Sequence, residues 1–206
     1  MVARTKELNI IICGVGGQGI VLMSELLGHA AVRDGLRVRG SEILGMSQRG
    51  GSVVSNIRIG KEVYAPITPE GECHLLAAME PSEALRNIHY LTRTSLVILS
   101  TKPIIPYTVY SDGIKYPDIT EIVAMLESLV MKVITVDATA LVKKVSNLPT
   151  LNIIMLGALL GTGSVPIKTD TMRTVIREYF SGEAITPNIN AFNLGYRTIL
   201  KASPTT

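Results

Sequence analysis

Cysteine is scarce in this 206-residue chain, which contains only Cys13 and Cys73. Two cysteines cannot build a disulfide framework, and neither lies in a CxxC pair or at a cysteine–histidine spacing typical of zinc sites. They are also too few for an iron–sulfur cluster, which is usually held by four thiolates. This usage indicates a reducing compartment, so we expect a cytoplasmic protein.

Charged and aromatic residues are also few. Charged residues make up 18% of the chain and aromatic residues 4%, with no tryptophan, whereas 47% of the residues are hydrophobic. The net charge of +3 is spread along the chain rather than gathered in a basic tract, which argues against a nucleic-acid partner. The high apolar content argues against intrinsic disorder and favours one globular domain.

Long hydrophobic runs are absent as well. The longest, Ile153 to Leu160, is well short of the roughly 18 residues that span a membrane, so no membrane partner is expected. This run is apolar on every side, so we expect it to be covered all round, by the core or by another protein chain. Arg4 and Lys6 precede Ile10–Ile12 in the manner of a signal peptide, but that run is short and leads into glycines. We interpret it as a first strand.

Strand and helix patterns alternate along the chain. A β-branched run, Leu8 to Cys13, precedes a glycine loop, a helical repeat from Val21 to Ala31 and a second strand, Leu36 to Arg39, which together predict a right-handed βαβ unit. The order predicts a three-layer, Rossmann-like α/β domain with a largely parallel sheet, one domain over residues 1–206. The remaining predicted strands are Ser52 to Ile59, with a short partner at Val63–Tyr64, and Leu75 to Met79, Ser95 to Leu99 and Lys132 to Val136. The remaining predicted helices are Pro81 to Leu91, from Asp118 or Thr120 to Leu129, Ala138 to Val145, Met172 to Phe180 and Ile189 to Leu200. A loop is predicted from Gly40 to Gly51 and an irregular stretch from Pro103 to Pro117.

The first glycine loop, Gly14 to Gly19, reads GVGGQG and matches the GxGxxG pattern between a strand and a helix. Such a loop leaves backbone amides free at a helix N-terminus, which suits a phosphate or dinucleotide. The alternative is a tight turn whose glycines are needed for packing. An acidic residue that would hold the ribose of NAD is missing, because the second strand ends at Arg39 and Glu42 lies beyond it. A stand-alone NAD(P)- or nucleotide-binding module is therefore the second hypothesis.

A second glycine-rich stretch runs from Ser41 to Gly51. Its glycines give the backbone freedom, and Arg49 offers a planar cationic donor suited to carboxylate or phosphate. It is interpreted either as a ligand or subunit contact or as a surface loop.

Together these two stretches resemble the gamma-type subunits of 2-oxoacid:ferredoxin oxidoreductases, and within that family most closely the beta-subunit branch that acts on indolepyruvate. The resemblance spans nearly the whole chain. It extends to three further stretches, which are Pro69 to Glu72 running into Leu75–Leu76 and Glu80–Pro81, then Asn152 to Leu160, and finally Asn190 to Phe192. One departure is Cys73–His74, where the family carries Ala-Asp.

The resemblance implies an enzyme that uses thiamine diphosphate to decarboxylate indolepyruvate or another aryl pyruvate, reduces ferredoxin and forms an acyl-coenzyme A. This chain contains no GDG motif followed by an asparagine pair and too few cysteines for a cluster. Thiamine diphosphate, Mg²⁺ and the 4Fe-4S clusters are therefore expected on a large catalytic partner subunit, which also meets ferredoxin. The chain itself is expected to be inactive alone and to carry no catalytic or metal-binding residue.

The resemblance further implies that this domain takes part in binding coenzyme A. The candidate contacts are the two glycine stretches, although Gln18 and Arg49 are equally suited to docking the large subunit. The candidate residues are Gly14, Gly16, Gly17, Gln18, Gly19, Ser41, Glu42, Gln48, Arg49, Gly50 and Gly51.

Overall fold

A single mixed sheet organises the chain, and its strands follow one another in the order β2-β3-β1-β4-β5-β6. The computed structural model describes residues 7–45, 50–104, 116–145 and 150–202. The strands are β1 (Glu7–Val15), β2 (Val38–Leu44), β3 (Ser52–Gly60), β4 (Leu75–Ala78), β5 (Leu96–Ser100) and β6 (Lys132–Val136). The neighbours β1, β4, β5 and β6 run parallel, whereas β3 is antiparallel to both β1 and β2. The predicted α/β class with a largely parallel sheet is confirmed.

Helices cover both faces of this sheet and make the three layers. They are α1 (Ile20–Arg33), α2 (Pro81–Arg86), α3 (Ile119–Leu129), α4 (Ala138–Val145), α5 (Leu151–Gly161), α6 (Thr169–Tyr179) and α7 (Ile185–Ala202). Apolar residues of α1, α4, α5, α6 and α7 join one core cluster, and those of α2 and α3 join the other. None of the helices in the described ranges is long and apolar enough to cross a membrane.

Strand β1 lies in the middle of the sheet and is buried on both faces. Ile10 and Ile12 belong to one core cluster, whereas Ile11 and Cys13 belong to the other. This explains why the strand is a continuous apolar run rather than an alternating one. The helix that follows β1 ends in a Schellman motif, in which Gly35 has a φ of 77° and the amide of Leu36 donates to the carbonyl of Ala31.

The predicted βαβ unit is changed by the position of β3. Strand β2 is parallel to β1 but does not pair with it, because β3 lies between the two and pairs with both. The connection from β2 to β3 is short enough for a hairpin, so β3 returns antiparallel beside β2. Strand β2 also extends to Leu44, so the predicted loop from Gly40 to Gly51 is wrong over its first half.

Three other local predictions differ from the structure. Val63 and Tyr64 form no strand, and the helix that begins at Pro81 ends at Arg86, where Asn87 caps it before a short 3-10 turn. The predicted irregular stretch Pro103 to Pro117 falls mostly on residues 105–115, outside the described residues. The remaining predicted strands and helices are present with ends shifted by a few residues, and Asp118 caps α3 by accepting from the amide of Thr120.

Helix α5 is covered by this chain itself. Every residue from Ile153 to Leu160 is buried, and α7 packs along the helix. Of the two covers expected from the sequence, the structure shows the core of this chain. The two helices approach closely because glycines lie at their contact. A Cβ atom on Gly195 would lie 1.9 Å from the carbonyl oxygen of Ile154.

We predict that Gly195→Ala destabilises the fold by about 1–3 kcal/mol or more, because the added methyl group has no space without separating α5 from α7. The matched control is Gly28→Ala, since a Cβ atom at Gly28 in helix α1 would meet nothing within 4 Å. Because alanine forms helix better than glycine, the control should gain roughly 0.5–1 kcal/mol. Urea unfolding measures the free energy of unfolding of both variants. Equal stabilities of the two variants would contradict this account of how α5 and α7 pack.

Candidate functional site

The site lies at the carboxyl ends of the central parallel strands. Strands β2 and β3 lie on one side of β1, and β4, β5 and β6 lie on the other, so the order of the sheet reverses between β1 and β4. Open α/β sheets commonly bind ligands at this position, but here the side chain of Gln18 fills it and a cleft opens on the other side of β1. The first glycine loop, Gly14 to Gly19, follows β1 there, and Glu80–Pro81 follows β4.

Two glycines of this loop adopt conformations that other residues rarely take. Gly17 has a φ of 98° and Gly19 a φ of 77°. Gly19 is the N-cap of α1, where no side-chain hydrogen bond caps the helix and no acidic residue lies in the first turn. The positive end of the helix dipole is therefore not compensated by the described side chains, which favours an anion or a polar ligand atom at this end.

The side chain of Gln18 ties the loop to the sheet. Its Oε1 accepts from the amide of Val15 at 2.7 Å, and its Nε2 donates to the carbonyl of Met79 at 2.9 Å, just past the end of β4. The amide also lies close to Gly14, where a Cβ atom would come within 2.5 Å of Oε1. Both polar atoms of Gln18 thus have backbone partners, so the side chain shapes the loop from inside.

The two glycine stretches meet through their backbones. The amide of Gly16 donates to the carbonyl of Gly51 at 2.8 Å, and the amide of Gly50 donates to the carbonyl of Gly16 at 3.3 Å. These bonds continue the β1–β3 ladder one step beyond Val15 and Ser52. The structure therefore brings Gly16 together with Gly50 and Gly51. We call Gly50 and Gly51 the second glycine segment.

A cleft of about 410 Å³ opens between the first glycine loop and the ends of β2 and β3. Its walls are glycine backbone and aliphatic side chains from Val15, Gly16, Gly17, Gly19, Ile20, Val21, Leu44, Gly45 and Val53. Such a lining accepts a ligand that presents an apolar surface and needs only a few hydrogen bonds from the backbone.

The remaining predicted site residues are placed differently. Ser41 and Glu42 lie on the edge strand β2, opposite Asn56 and Ser55 of β3, and do not line the cleft. Gln48 and Arg49 lie outside the described residues.

Comparison with known proteins identifies the family. A sequence profile described as pyruvate ferredoxin/flavodoxin oxidoreductase matches residues 9–198. The chain belongs to this family. Indolepyruvate oxidoreductase subunit IorB of Archaeoglobus fulgidus is 38% identical over 198 residues, covering 96% of this chain and 98% of that protein. The subunit of the same name from Pyrococcus horikoshii is 40% identical over 193 residues, covering 93% and 96%.

A solved member of the same fold is much longer than this chain. It is a 2-oxoglutarate:ferredoxin oxidoreductase from Magnetococcus marinus, with 2-oxoglutarate, coenzyme A and succinyl-CoA bound. The two structures superpose with a TM-score of 0.74 at 20% sequence identity, over 98% of this chain and 32% of that one. At this identity the likeness shows the fold alone.

Two buried carboxylates beside the site, those of Glu80 and Glu83, were not among the site residues predicted from the sequence. Glu80 is the N-cap of α2 and accepts from the hydroxyl of Tyr116, the hydroxyl of Ser82 and the amide of Glu83. Glu83 accepts from the hydroxyl of Ser52 at 2.5 Å and pairs with Arg86 at 3.1 Å. The available signal was two acidic residues around a proline at a helix start, which predicts capping but not burial.

Burial changes the ionisation of this cluster. It raises the pKa of the Glu83 carboxyl above its ordinary value, although the hydrogen bond from Ser52 and the charge of Arg86 oppose the rise. Burial and the hydrogen bond to Glu80 likewise raise the pKa of the Tyr116 hydroxyl.

Cys73 and His74, which depart from the family pattern, each form a local hydrogen bond. The Cys73 thiol donates to the carbonyl of Leu75, and Nδ1 of His74 accepts from the amide of Asn9 at 3.0 Å. Both residues thus have structural partners at the opposite end of the sheet from the cleft.

We predict that Gln18→Glu costs about 1–3 kcal/mol of unfolding free energy at neutral pH. The new carboxylate is close in size, but the oxygen that replaces Nε2 faces the carbonyl of Met79, so a donor is lost between two acceptors. Asn193→Asp is the control, because that side chain accepts from Arg173 and tolerates the added charge. If both variants unfold at the same urea concentration, Gln18 does not hold the loop.

We predict that both thiols are unreactive in the native protein. Cys13 and Cys73 are buried, and burial raises the pKa of Cys73 to about 12 and that of Cys13 well above its ordinary value. Because the thiolate is the reactive form, a thiol reagent at about pH 8 should titrate neither cysteine before denaturation and both after it. Rapid labelling of one thiol in the folded chain would contradict the burial.

Proposed function

We propose that this chain is the small, gamma-type subunit of an indolepyruvate:ferredoxin oxidoreductase. The enzyme would oxidatively decarboxylate indolepyruvate or a related aryl pyruvate, form the acyl-coenzyme A and reduce ferredoxin. The observation that carries this proposal is the match to indolepyruvate oxidoreductase subunits along nearly the whole of both chains at 38–40% identity. The glycine loops lie within the matched region.

The proposal assigns the redox and thiamine chemistry to a large partner subunit. The residues of this chain do not fit those groups, because its two cysteines are buried at the sheet and a cluster takes about four thiolates. The described residues also contain no group of three or more acidic, histidine or cysteine side chains arranged to hold a metal ion. Thiamine diphosphate, Mg²⁺ and 4Fe-4S clusters accordingly belong to the partner, through which ferredoxin is reduced.

The contribution of this chain is to hold coenzyme A for acyl transfer. The cleft supports this role, since its aliphatic walls suit the uncharged arm of coenzyme A. The uncapped N-terminus of α1 suits a phosphate or carbonyl oxygen. Holding the thiol-bearing arm in place lowers the entropic cost of its attack on the acyl group.

The structure offers little support for a stand-alone NAD(P) site. In a dinucleotide-binding fold the second strand lies beside the first and presents an acidic residue to the ribose. Here β3 occupies that position, and Glu42 lies one strand further out, on the edge strand β2. The amide of Gln18 also fills the space between the loop and β4.

The proposal is tested by reconstitution. We expect the purified chain alone to show no oxidation of indolepyruvate, and to restore dye reduction dependent on indolepyruvate and coenzyme A when mixed with the large subunit. If the folded chain neither binds the large subunit nor changes its activity, the proposal fails.

We further predict that Arg49→Ala raises the KM for coenzyme A about tenfold in the assembled enzyme while kcat is unchanged, as expected for the loss of one ionic hydrogen bond to the ligand. Arg177→Ala is the control, because it removes the same charge from an exposed position on α6. An assembled Arg49→Ala enzyme with unaltered KM would assign Arg49 to docking or to neither role.

A further inference from the structure

A buried carboxylate lies directly behind the second glycine segment. Glu83 is only 2% exposed, and its Oε2 accepts from the hydroxyl of Ser52 at 2.5 Å. Ser52 follows Gly51 in the chain and begins strand β3. The hydrogen bond therefore links helix α2, which follows β4, to the first residue after the second glycine segment.

The second glycine segment has no side chains of its own to hold it. Gly50 and Gly51 are bonded through their backbones to Gly16, and the next side chain along the chain is that of Ser52. The hydrogen bond from Ser52 to Glu83 thus anchors the residue next to the segment. The segment in turn is bonded to Gly16, which lines the cleft.

Burying Glu83 is costly, which argues that its carboxylate is needed. Only Arg86 offers it an ion pair among the described residues, and the side chain of Arg86 is 65% exposed. A buried carboxylate with partial compensation is usually less favourable than an apolar side chain of similar volume. Simple packing between α2 and β3 would be achieved better by leucine or methionine.

We propose that Glu83 is a positioning residue for coenzyme A. Through Ser52 it holds Gly50 and Gly51 against Gly16, so that the backbone of Gly16 in the wall of the cleft is set before the ligand binds. The role rests on the proposed function, because it assumes that the cleft takes coenzyme A. Glu83 does not touch the ligand and takes part in no chemical step.

The neighbouring carboxylate supplies an internal control. Glu80 belongs to the same buried cluster but binds Tyr116 and Ser82, and not the second glycine segment. Tyr116→Phe removes two hydrogen bonds of the hydroxyl, its donation to Glu80 at 2.5 Å and its acceptance from the amide of Ser82 at 3.2 Å, and neither involves Ser52. A general loosening of α2 would affect ligand binding in this variant as well, whereas the positioning role predicts no effect.

The experiment uses the complex assembled with the large subunit. Assembly, kcat and the KM for coenzyme A are measured for the natural sequence, Ser52→Ala, Ser52→Thr, Glu83→Gln, the double variant Ser52→Ala/Glu83→Gln and Tyr116→Phe. We expect Ser52→Ala to raise the KM about tenfold with kcat and assembly kept, because one hydrogen bond to a charged group is lost. Ser52→Thr keeps the hydroxyl and should restore the KM, and Tyr116→Phe should leave it unchanged.

The double variant tests whether the two residues act as one unit. If Glu83 acts through Ser52, the KM of the double variant should match that of Ser52→Ala rather than multiply the two single effects. Glu83→Gln, which keeps the size of the side chain, should raise the KM in the same direction. It provides the test if Ser52→Ala does not fold.

Several outcomes would overturn the positioning role. An unchanged KM in assembled Ser52→Ala and Glu83→Gln would do so, as would an equal rise in Tyr116→Phe or weakened assembly with an unchanged KM, which would assign the segment to docking. Failure of the proposed function looks different, since the complex with the natural sequence would then show no activity dependent on coenzyme A.

Discussion

The antiparallel pairing of β3 with β1 is the constraint on which both the sheet and the site depend. It inserts a strand between β1 and β2, and it returns the chain to the point where β1 ends. Because Val15 pairs with Ser52, the residues just before Ser52 must lie beside Gly16. The first glycine loop and the second glycine segment, which are more than thirty residues apart in sequence, therefore become one surface. Moving the register of this pair by one residue would separate them and reverse the faces of β3.

Much of the fold follows from local patterns. Strand β1 is recognisable from a short β-branched run before a glycine loop, and α1 from its helical repeat and from Gly35, whose positive φ ends it. Strands β4 and β5 are short apolar runs between helical patterns, as is typical of buried parallel strands, whereas the edge strand β6 alternates exposed and buried residues. Each of these elements is determined by residues within itself and at its ends, so the sequence predicts it without knowledge of its neighbours.

The position of β3 and the burial of α5 and Glu83 depend on distant residues. The sequence of β2 predicts a loop rather than a strand because β2 pairs with a neighbour on one side only. Its Ser41, Glu42 and Leu44 are therefore not buried and show no apolar pattern. The apolar run of α5 indicates burial but not by what, and the answer lies in glycines 157 and 195, which allow α7 to approach. Glu83 is buried because β3 brings Ser52 to it, which no pattern around Pro81 reveals.

A site built largely from backbone has a particular sensitivity to substitution. The described walls of the cleft are glycines and aliphatic side chains, and Gln18 holds the glycine loop among them through the amide of Val15 and the carbonyl of Met79. Neither Gln18 nor Glu83 lines the cleft. Glu83 accepts from Ser52, whose neighbour Gly51 is bonded to Gly16 in the cleft wall. Substitutions behind the glycines therefore change the surface of such a site, because the glycines themselves have no side chain through which the surface can be adjusted.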